Sequence, residues 1–332
     1  MIRKISILDK THEEWMGLRK GTIGGSEAGS VVGLNPYQSP FALWAEKTNR
    51  TKPFEGNLAT EVGTFLEEFC AKKFQEQTGL PVQRSNFIYF NDSYPNQHAL
   101  PDRVVKLPGY KAGLEIKTTS GFTKMIRDEF PAQYYCQCVQ YLSVMEYDTW
   151  FLAVLVGNRE FRIFQMKRSK SIPTPEWVES CIVIDEDEIN ALRDACDEFM
   201  KRVREDNAPL ADGMASTADA LSEAFPVATE TEEQVDLSDM DSVIDEYLML
   251  KGEIKQKEVR KSELENILKA KLGEKEAGNC GEFAVTWTNS SRTTFDSKKL
   301  KQDDPDLWKR YSKTSPTRTF NVKTRKETTE NG

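Results

Sequence analysis

The stretch Leu-Glu-Ile-Lys at positions 114–117, together with Pro-Asp at positions 101–102, carries the strongest structural signal in this chain. Side chains of a β-strand alternate between its two faces, so Glu115 and Lys117 are predicted on one face and Ile116 on the other. An acidic and a basic group are therefore expected to share one surface of a sheet, with an apolar side chain entering the core behind them.

Asp102 precedes this strand at a spacing that suits a β-hairpin. The residues Pro-Gly-Tyr-Lys at 108–111 predict a turn that brings the Asp102 carboxylate alongside Glu115. Two carboxylates and a lysine that face one space can bind a hard cation through oxygen and hold an attacking water molecule. A pattern this short is also typical of a solvated ion pair on a sheet surface, so its surroundings must decide between the two interpretations.

Apolar periodicity outside this stretch predicts an α/β domain. Helices are predicted over residues 11–20, 40–47, 60–78, 131–145 and 185–204, and strands over residues 87–90, 98–105, 113–118, 149–156 and 160–166. Gly157 and Asn158 separate the last two strands by a compact hairpin turn. This order of elements predicts a mixed central β-sheet flanked by helices.

Five separated blocks agree with one family pattern. They are the segment 15–30, the segment 33–40, the segment 63–68, Asp102 with the segment 115–117, and the segment 134–142. In this order and with these spacings they resemble the YqaJ-type viral recombinases, a family of PD-(D/E)xK nucleases related to the phage lambda exonuclease. The resemblance covers about residues 8–200 and implies a restriction-endonuclease-like α/β core.

The resemblance also implies a metal site. Asp102, Glu115 and Glu67 would hold one or two Mg²⁺ ions, or Mn²⁺ in their place, with help from the backbone carbonyl of Ile116. Oxygen donors of this kind are those that Mg²⁺ prefers. Glu67 lies on a predicted helix, where a glutamate is by default solvated, and the adjacent Glu68 stays open as the ligand in its stead.

Lys117 and Gln137 complete the catalytic set that the resemblance implies, alongside Asp102 and Glu115. Lys117 would orient and activate the attacking water, and Gln137 would lie beside that water or the phosphate. By default, a glutamine on such a helix is a hydrogen-bonding boundary residue. The second glutamine of the family pattern has no clear counterpart, because Gln140 lies one position later than that pattern requires.

Segment 22–30 is rich in Gly and Ser, so its backbone can approach a ligand closely, and a helix that starts there can offer N–H groups to a phosphate. Arg19 supplies a forked donor for phosphate oxygens, and Ser26 supplies a hydroxyl group. An ordinary glycine turn capped by Ser26 is the alternative. With the resemblance, Arg19 and Ser26 are predicted to bind the terminal phosphate of a DNA strand.

The resemblance implies an exonuclease that degrades one strand of linear double-stranded DNA, processively and from 5′ to 3′, and leaves single strands for a single-strand annealing recombinase. It further implies a homo-oligomeric ring, a trimer, threaded by DNA. Two alternatives remain, a structure- or sequence-specific endonuclease of the same fold and a non-catalytic DNA-binding scaffold. The presence of Asp102, Glu115 and Lys117 together argues against the scaffold.

Composition excludes several other classes. The chain has two histidines, His12 and His98, which leave almost nothing from which to build a histidine-centred nuclease, a His-rich zinc site or a Ser-His-Asp relay. Its six cysteines form no C-x-x-C pattern, which is typical of reduced thiols in a cytoplasm. Because no signal-like N-terminus and no long apolar span occurs, we expect no membrane contact and a cytoplasmic location, in the host cell if a phage encodes the chain.

Charge is unevenly distributed around the net value of −8. Residues 207–246 contain eleven Asp and Glu and no Lys or Arg, which predicts a flexible acidic linker over 207–237. The linker would separate an exonuclease domain, 1–206, from a C-terminal module, 238–332. From Arg292 onward eleven Lys and Arg outnumber six Asp and Glu, so this basic tail is predicted to contact the phosphate backbone of DNA.

The C-terminal module is predicted to consist of one long amphipathic helix, 238–272, followed by an alternating strand, 283–287. Lys257 and Lys261 interrupt the apolar spacing of the helix, so a sustained heptad coil is not predicted. We expect the helix to pack on its own β-rich partner, in a small module for binding or assembly rather than a second active site.

Overall fold

The structure, a computed structural model, describes residues 1–120, 130, 132–228, 234–314 and 317–323. The chain divides into two compact units, Met1–Phe225 and Pro226–Gly332. Every side chain that is buried in the described part of the chain belongs to the first unit. The candidate site residues all lie in this unit as well.

Helices and strands are interspersed along the first unit. Its helices are α1 (His12–Lys20), α2 (Gly25–Val31), α3 (Pro40–Lys47), α4 (Leu58–Thr78), α5 (Ala132–Met145), α6 (Glu186–Glu205) and α7 (Ala215–Ala224). Local sequence fixes several helix ends. At the start of α6 the Asp185 side chain accepts a hydrogen bond from the backbone N–H of Glu188, and α4 ends at Gly79, whose φ of 69° suits glycine.

The strands of the first unit form two sheets. They are β1 (Ile2–Ser6), β2 (Val82–Arg84), β3 (Phe87–Asn91), β4 (Tyr94–Ala99), β5 (Arg103–Leu107), β6 (Tyr110–Thr119), β7 (Thr149–Val156), β8 (Glu160–Lys167) and β9 (Ser180–Val183). In the described residues, a six-stranded sheet has the order β2-β5-β6-β7-β8-β9, and a three-stranded sheet has the order β1-β3-β4. In the larger sheet β6 is antiparallel to β5 and parallel to β7, so the predicted mixed sheet is confirmed.

Two glycines close the hairpins that the sequence predicted in the larger sheet. Gly109 has a φ of 80° between β5 and β6, and Gly157 has a φ of 57° between β7 and β8. Both values lie in the left-handed region, which glycine adopts without steric cost. The first turn sets the register in which Arg103 pairs with Leu114.

β7 shows how the larger sheet buries its two faces. Trp150, Leu152 and Val154 belong to one apolar cluster, which includes side chains of α5 and α6. Phe151 and Ala153 belong to a second cluster, which includes side chains of α4. We call these two sides the α5 face and the α4 face. Because successive side chains of a strand alternate, each residue of this sheet points to one face or the other.

The single strand predicted over 98–105 is two strands in the structure. β4 ends at Ala99 in the smaller sheet, and β5 begins at Arg103 in the larger sheet. Pro101 lies between them and has no N–H group to donate to a ladder, which suits a break in pairing. Asp102 is therefore placed directly before β5, where the chain crosses from one sheet to the other.

The acidic segment 207–237, predicted as a linker, differs from the structure in its first part. α7 lies within this segment, and its Thr217 and Ala220 side chains are buried. The Thr217 hydroxyl donates a hydrogen bond to the Ser39 hydroxyl at 2.7 Å, at the start of α3. Small apolar and hydroxyl side chains thus dock α7 onto the first unit, which ends at Phe225 rather than at residue 206.

The second unit consists of short elements around one long helix. A 3₁₀ turn, Ser238–Met240, is followed by α8 (Asp241–Leu272), β10 (Ala277–Cys280), β11 (Phe283–Thr286), α9 (Ser297–Asp303) and α10 (Pro305–Tyr311). β10 and β11 pair in an antiparallel hairpin. α8 was expected to pack on a β-rich partner, but none of its 32 residues is buried. Within the described residues, no helix of either unit is long and apolar enough to cross a membrane.

Candidate active site

Glu115 and Asp102 meet at the end of the β5–β6 hairpin. Leu114 and Ile116 belong to the apolar cluster on the α4 face, so strand alternation directs Glu115 to the α5 face. The Asp102 carboxylate accepts a hydrogen bond from the backbone N–H of Ile116 at 2.8 Å. The predicted approach of Asp102 to the Glu115–Lys117 segment is therefore present in the structure.

Lys117 and Gln137 converge on the same carboxylate. The Lys117 ammonium donates a hydrogen bond to Glu115 Oε1 at 2.6 Å, and Gln137 Nε2 donates to the same oxygen at 2.6 Å. The Glu115 side chain is 3% exposed and the Lys117 side chain 24% exposed, so this ion pair is not a solvated surface contact. The Lys117 ammonium also lies 5.4 Å from the centre of the Tyr134 ring.

Tyr141 is a site residue that the sequence did not reveal. Its hydroxyl accepts a hydrogen bond from Gln137 Nε2 at 2.9 Å and donates one to the backbone carbonyl of Leu100 at 3.0 Å. Tyr141 follows Gln137 by one helical turn, so the i, i+4 spacing on α5 could have identified it. Through this chain of contacts the segment before Asp102 fixes the Gln137 amide, which in turn holds Glu115.

The second oxygen of the Glu115 carboxylate lacks a protein partner. Glu115 Oε2 is buried and makes no hydrogen bond in the described part of the chain. A buried carboxylate oxygen without a partner is costly unless a donor or a cation satisfies it. Together with the Asp102 carboxylate, this oxygen offers the hard donors that a Mg²⁺ or Mn²⁺ ion takes in proteins.

The two carboxylates also disfavour each other's charge. Burial and the neighbouring Glu115 raise the pKa of Asp102 well above its ordinary value. Burial raises the pKa of Glu115 too, against the opposing influence of Lys117 and Gln137. Burial disfavours the Lys117 ammonium, but the charges of Glu115 and Asp102 outweigh it and raise the pKa of Lys117. Two neighbouring buried carboxylates that resist ionisation suit a divalent cation, whose charge would stabilise their ionised forms.

Glu67 lies on α4, on the opposite side of the sheet, and a buried arginine binds it. Arg103 is 2% exposed and pairs with the Glu67 carboxylate, while its other terminal nitrogen binds Glu68 at 2.9 Å. Glu67 is 21% exposed and Glu68 is 82% exposed. Of these two glutamates, Glu67 is the one whose charge contributes to raising the pKa of both Asp102 and Glu115.

Two carboxylates of the proposed donor set are in place to bind a divalent cation. Asp102 and Glu115 face one space, and the carbonyl of Ile116 points to the same edge of β6 as its N–H, which binds Asp102. In the described residues no group of three or more His, Cys, Asp and Glu side chains is arranged to hold a metal ion.

Arg19 and Ser26 lie on segments that are held firmly by buried polar contacts. The Lys47 ammonium binds the backbone carbonyl of Thr22 at 2.8 Å and both oxygens of Glu27, at 2.9 and 2.8 Å. The Arg19 guanidinium lies 4.5 Å from the centre of the Trp15 ring. Ser26 is exposed at the second residue of α2. The roles predicted for Arg19 and Ser26 remain predictions.

Packing against neighbouring side chains explains the two glycines at the start of α2. A Cβ atom on Gly25 would stand 2.3 Å from the Tyr141 ring, and one on Gly24 would stand 2.8 Å from His98 Nε2. Neither position can accept a side chain without displacing its neighbour. The close backbone approach that the sequence predicted here is thus made to side chains of the chain itself, and it brings the start of α2 against Tyr141 of the site.

Gln140 has a structural role. Its side-chain nitrogen donates hydrogen bonds to the backbone carbonyls of Ile23 and His98, at 2.7 and 2.9 Å. It ties α5 to the Gly-rich segment and to β4, away from Glu115. Of these two glutamines on α5, Gln137 is the one that contacts Glu115, and its place beside the attacking water or the phosphate remains a prediction.

Comparison with known proteins finds a matching family and similar sequences. The model of the YqaJ-like viral recombinase domain matches residues 14–148. The uncharacterized protein YqaJ of Bacillus subtilis (strain 168) is 30% identical over 322 residues, which make up 95% of this chain and 95% of that protein. Protein D345L of African swine fever virus (strain Badajoz 1971 Vero-adapted) is 40% identical over 55 residues, 17% of this chain and 16% of that one.

Solved structures include a similar chain. The alkaline exonuclease LHK-Exo from Laribacter hongkongensis superposes with a TM-score of 0.46 at 18% sequence identity, over 59% of this chain and 94% of that one. The segment matched by the family model, residues 14–148, contains every candidate site residue, from Arg19 to Gln137.

Proposed function

The chain belongs to the YqaJ-like viral recombinase family, as its sequence blocks indicated, and on that premise we propose that it is a metal-dependent DNA exonuclease. It degrades one strand of linear double-stranded DNA from 5′ to 3′ and leaves a single strand for an annealing recombinase. The observation that carries the proposal is the buried cluster in which Lys117 and Gln137 both bind Glu115 beside Asp102.

Asp102, Glu115 and the carbonyl of Ile116 are the groups proposed to hold Mg²⁺ or Mn²⁺, one or two ions, with Glu67 as a further ligand. The unpartnered Glu115 Oε2 and the raised pKa values of both carboxylates support this donor set. When bound, the metal supplies Lewis-acid polarisation of the phosphoryl oxygen and lowers the pKa of an attacking water.

Lys117 keeps its proton, because the neighbouring carboxylates raise its pKa. Its proposed contribution is therefore to orient the attacking water and to stabilise negative charge on the phosphoryl oxygens, not to remove a proton. Gln137 holds Glu115 at a fixed position through its 2.6 Å hydrogen bond, and Tyr141 in turn holds Gln137. Burial of Glu115 keeps bulk water away from the carboxylate.

Arg19 and Ser26 are proposed to bind the 5′-terminal phosphate of the degraded strand. Arg19 Nε is buried and has no hydrogen-bond partner in the described part of the chain, which leaves it available to a ligand oxygen. Ser26 is exposed next to Gly25, whose backbone contacts Tyr141 of the site. Recognition of a strand end in this way favours linear DNA over circles, and a ring-shaped homo-oligomer, a trimer, would keep the DNA threaded.

The test uses linear and covalently closed circular duplexes of the same sequence. We expect the purified chain with Mg²⁺ to degrade the linear form from its 5′ ends, to spare the circle, and to stop when EDTA removes the metal. Glu115→Gln, which keeps the shape of the side chain, should abolish the digestion. Cleavage of the circle would favour an endonuclease of the same fold, and equal digestion by wild type and Glu115→Gln would reject the assigned site.

A further inference from the structure

α8 presents an apolar stripe that nothing in the described part of its own unit buries. Over this helix of 32 residues, six apolar side chains are between 37% and 58% exposed, those of Val243, Tyr247, Leu250, Ile254, Leu264 and Leu268. Of the described tail, the Phe320 ring touches Tyr247 at 5.8 Å between ring centres. An exposed apolar stripe along a whole helix is typical of a surface that a partner covers.

The stripe follows a heptad pattern with two polar interruptions. If Ile254 is placed at heptad position a, the a and d positions of α8 and the turn before it form one seam. The seam consists of Met240, Val243, Tyr247, Leu250, Ile254, Lys257, Lys261, Leu264, Leu268 and Lys271. Apolar residues thus occupy the seam on both sides of its middle, two lysines occupy the middle, and Lys271 ends the seam.

The two central lysines argue against a parallel pairing of identical helices. In a parallel coil each seam residue faces its own copy, so Lys257 would face Lys257 and Lys261 would face Lys261. The flanking charges are mixed in that arrangement, because Glu253 of one helix would lie beside Glu258 of the other, whereas Glu246 would lie beside Lys251 and Arg260 beside Glu265. Like charges at this distance destabilise a helix pair.

An antiparallel pairing removes these conflicts. When a and d positions face each other across a two-fold axis between residues 255 and 256, each central lysine meets an apolar residue, along which its methylene stem can lie. The seam then pairs Ile254 with Lys257, Leu250 with Lys261, Tyr247 with Leu264, and Val243 with Leu268.

The charges that flank the seam are complementary in this register. Glu253 of one helix lies beside Arg260 of the second copy, and Lys251 lies beside Glu258, and the two-fold axis makes each pair twice. A shift by one heptad in one direction brings Glu253 against Glu253 and Lys251 against Lys251. A shift in the other direction brings Arg260 against Arg260 and Glu258 against Glu258. Of these three antiparallel registers, the first is the one that brings no like charges together.

We propose that two copies of this chain associate through α8 in an antiparallel coiled coil centred between residues 255 and 256. The contact is independent of the proposed nuclease activity and of the ring that the family resemblance implies. Within one helix Arg260 binds Glu263 at 2.7 Å, with both side chains more than half exposed. That exposed pair is weak, so Arg260 remains able to bind Glu253 of the second copy.

Charge substitutions in the full-length chain test the pairing and its direction. We expect wild-type copies to associate through α8 in sedimentation equilibrium, in addition to any ring contact, and Glu253→Arg to weaken this association about tenfold, because two attractive pairs become repulsive. Glu253→Arg combined with Arg260→Glu should restore affinity above that of either single variant. Asp245→Arg, an equal charge change on the outer face of α8, is the matched control and should leave the association unchanged.

Each other result would overturn the proposal. A parallel coil predicts tighter association for Glu253→Arg, because the new arginine would lie beside Glu258. A monomeric wild type, or association that none of the α8 variants alters, would mean that another partner covers the stripe or that the copies meet elsewhere. Far-UV circular dichroism of each variant checks that α8 remains helical.

Distances between spin labels give a second test that does not depend on charge. One spin label is attached per copy, to Asp245→Cys or in a separate variant to Asn266→Cys, after Cys181 and Cys280 are replaced by serine. In the proposed dimer of either variant, the labels of the two copies lie 21 residues apart along the seam. At 1.5 Å per residue this is about 32 Å along the helix axis. A parallel coil would hold the labels level with each other, so a short label distance at both sites would overturn the antiparallel arrangement.

Discussion

The two units of this chain differ in whether they bury charged side chains. In Met1–Phe225, Arg103 and Glu115 are buried and held by several hydrogen bonds. In Pro226–Gly332, α8 buries no residue, and its ion pairs lie in solvent. Buried charges are costly unless they are paired, so their presence in the first unit supports the site proposed there. Exposed ion pairs are worth little, which leaves the second unit to gain stability from a partner.

The largest effect should come from the lysine at the centre of the buried cluster. We expect Lys117→Ala to reduce DNA hydrolysis by about a thousandfold or more, because the water and the phosphoryl oxygens lose their fixed cation. DNA binding, measured by fluorescence anisotropy in EDTA, should change little. Lys106→Ala, on the exposed surface of neighbouring β5, is the matched control and should keep full activity.

The next prediction compares how much one arginine from each unit contributes to the free energy of unfolding. Arg103→Ala should lower the free energy of unfolding by about 2–3 kcal/mol, because it leaves Glu67 without its buried partner and opens a gap in the core. Arg260→Ala, which removes only the exposed pair with Glu263, should change it by about 0.5 kcal/mol or less. Urea unfolding followed by tryptophan fluorescence measures both, and equal losses would break the contrast between the units.

A substitution of Arg19, on α1, tests whether the first unit recognises the 5′ end of a DNA strand. Arg19→Ala should slow digestion about tenfold on duplexes with a 5′-phosphate, because a charge-assisted contact to that group is lost. On duplexes with a 5′-hydroxyl the same substitution should have little effect. An equal loss on both substrates would point to a general role for Arg19, such as its packing on Trp15.

The smallest effect concerns a buried histidine. Burial, with the charges of Arg19 and Lys47, lowers the pKa of His98 well below its ordinary value of 6.5. Below pH 6.5 the unfolded chain therefore binds a proton that the folded chain does not, so stability is lost as the pH falls. Because a single proton is involved, the free energy of unfolding changes by at most about 1.4 kcal/mol per pH unit. His98→Gln should reduce this slope in urea unfolding between pH 7 and 5.5, and an unchanged slope would exclude His98 as its source.

The hairpin and most helices could be predicted because their signals are local. Strand alternation predicted which way Glu115 and Lys117 point, and the Pro-Gly turn at 108–109 predicted the return toward Asp102. The helix over 40–47 and the strand over 149–156 agree with the structure at both ends. Such features depend on neighbouring residues and on the period of apolar side chains.

The remaining features depend on contacts between distant segments. The break between β4 and β5 follows from a change of sheet, which the alternating residues around Asp102 do not reveal. The pairing of Arg103 with Glu67 joins a strand to a helix 36 positions earlier. α7 folds within an acidic segment because its few buried side chains find a surface on α3.

The sequence by itself determined the residue types at the site, the hairpin that aligns Asp102 with Glu115, and the family to which the chain belongs. Tertiary structure alone decided that Glu67 binds Arg103 on the α4 face, that Tyr141 holds Gln137, and that none of the 32 residues of α8 is buried. The reason is that local sequence sets the direction of a side chain along its own element, whereas packing of elements sets which groups it meets.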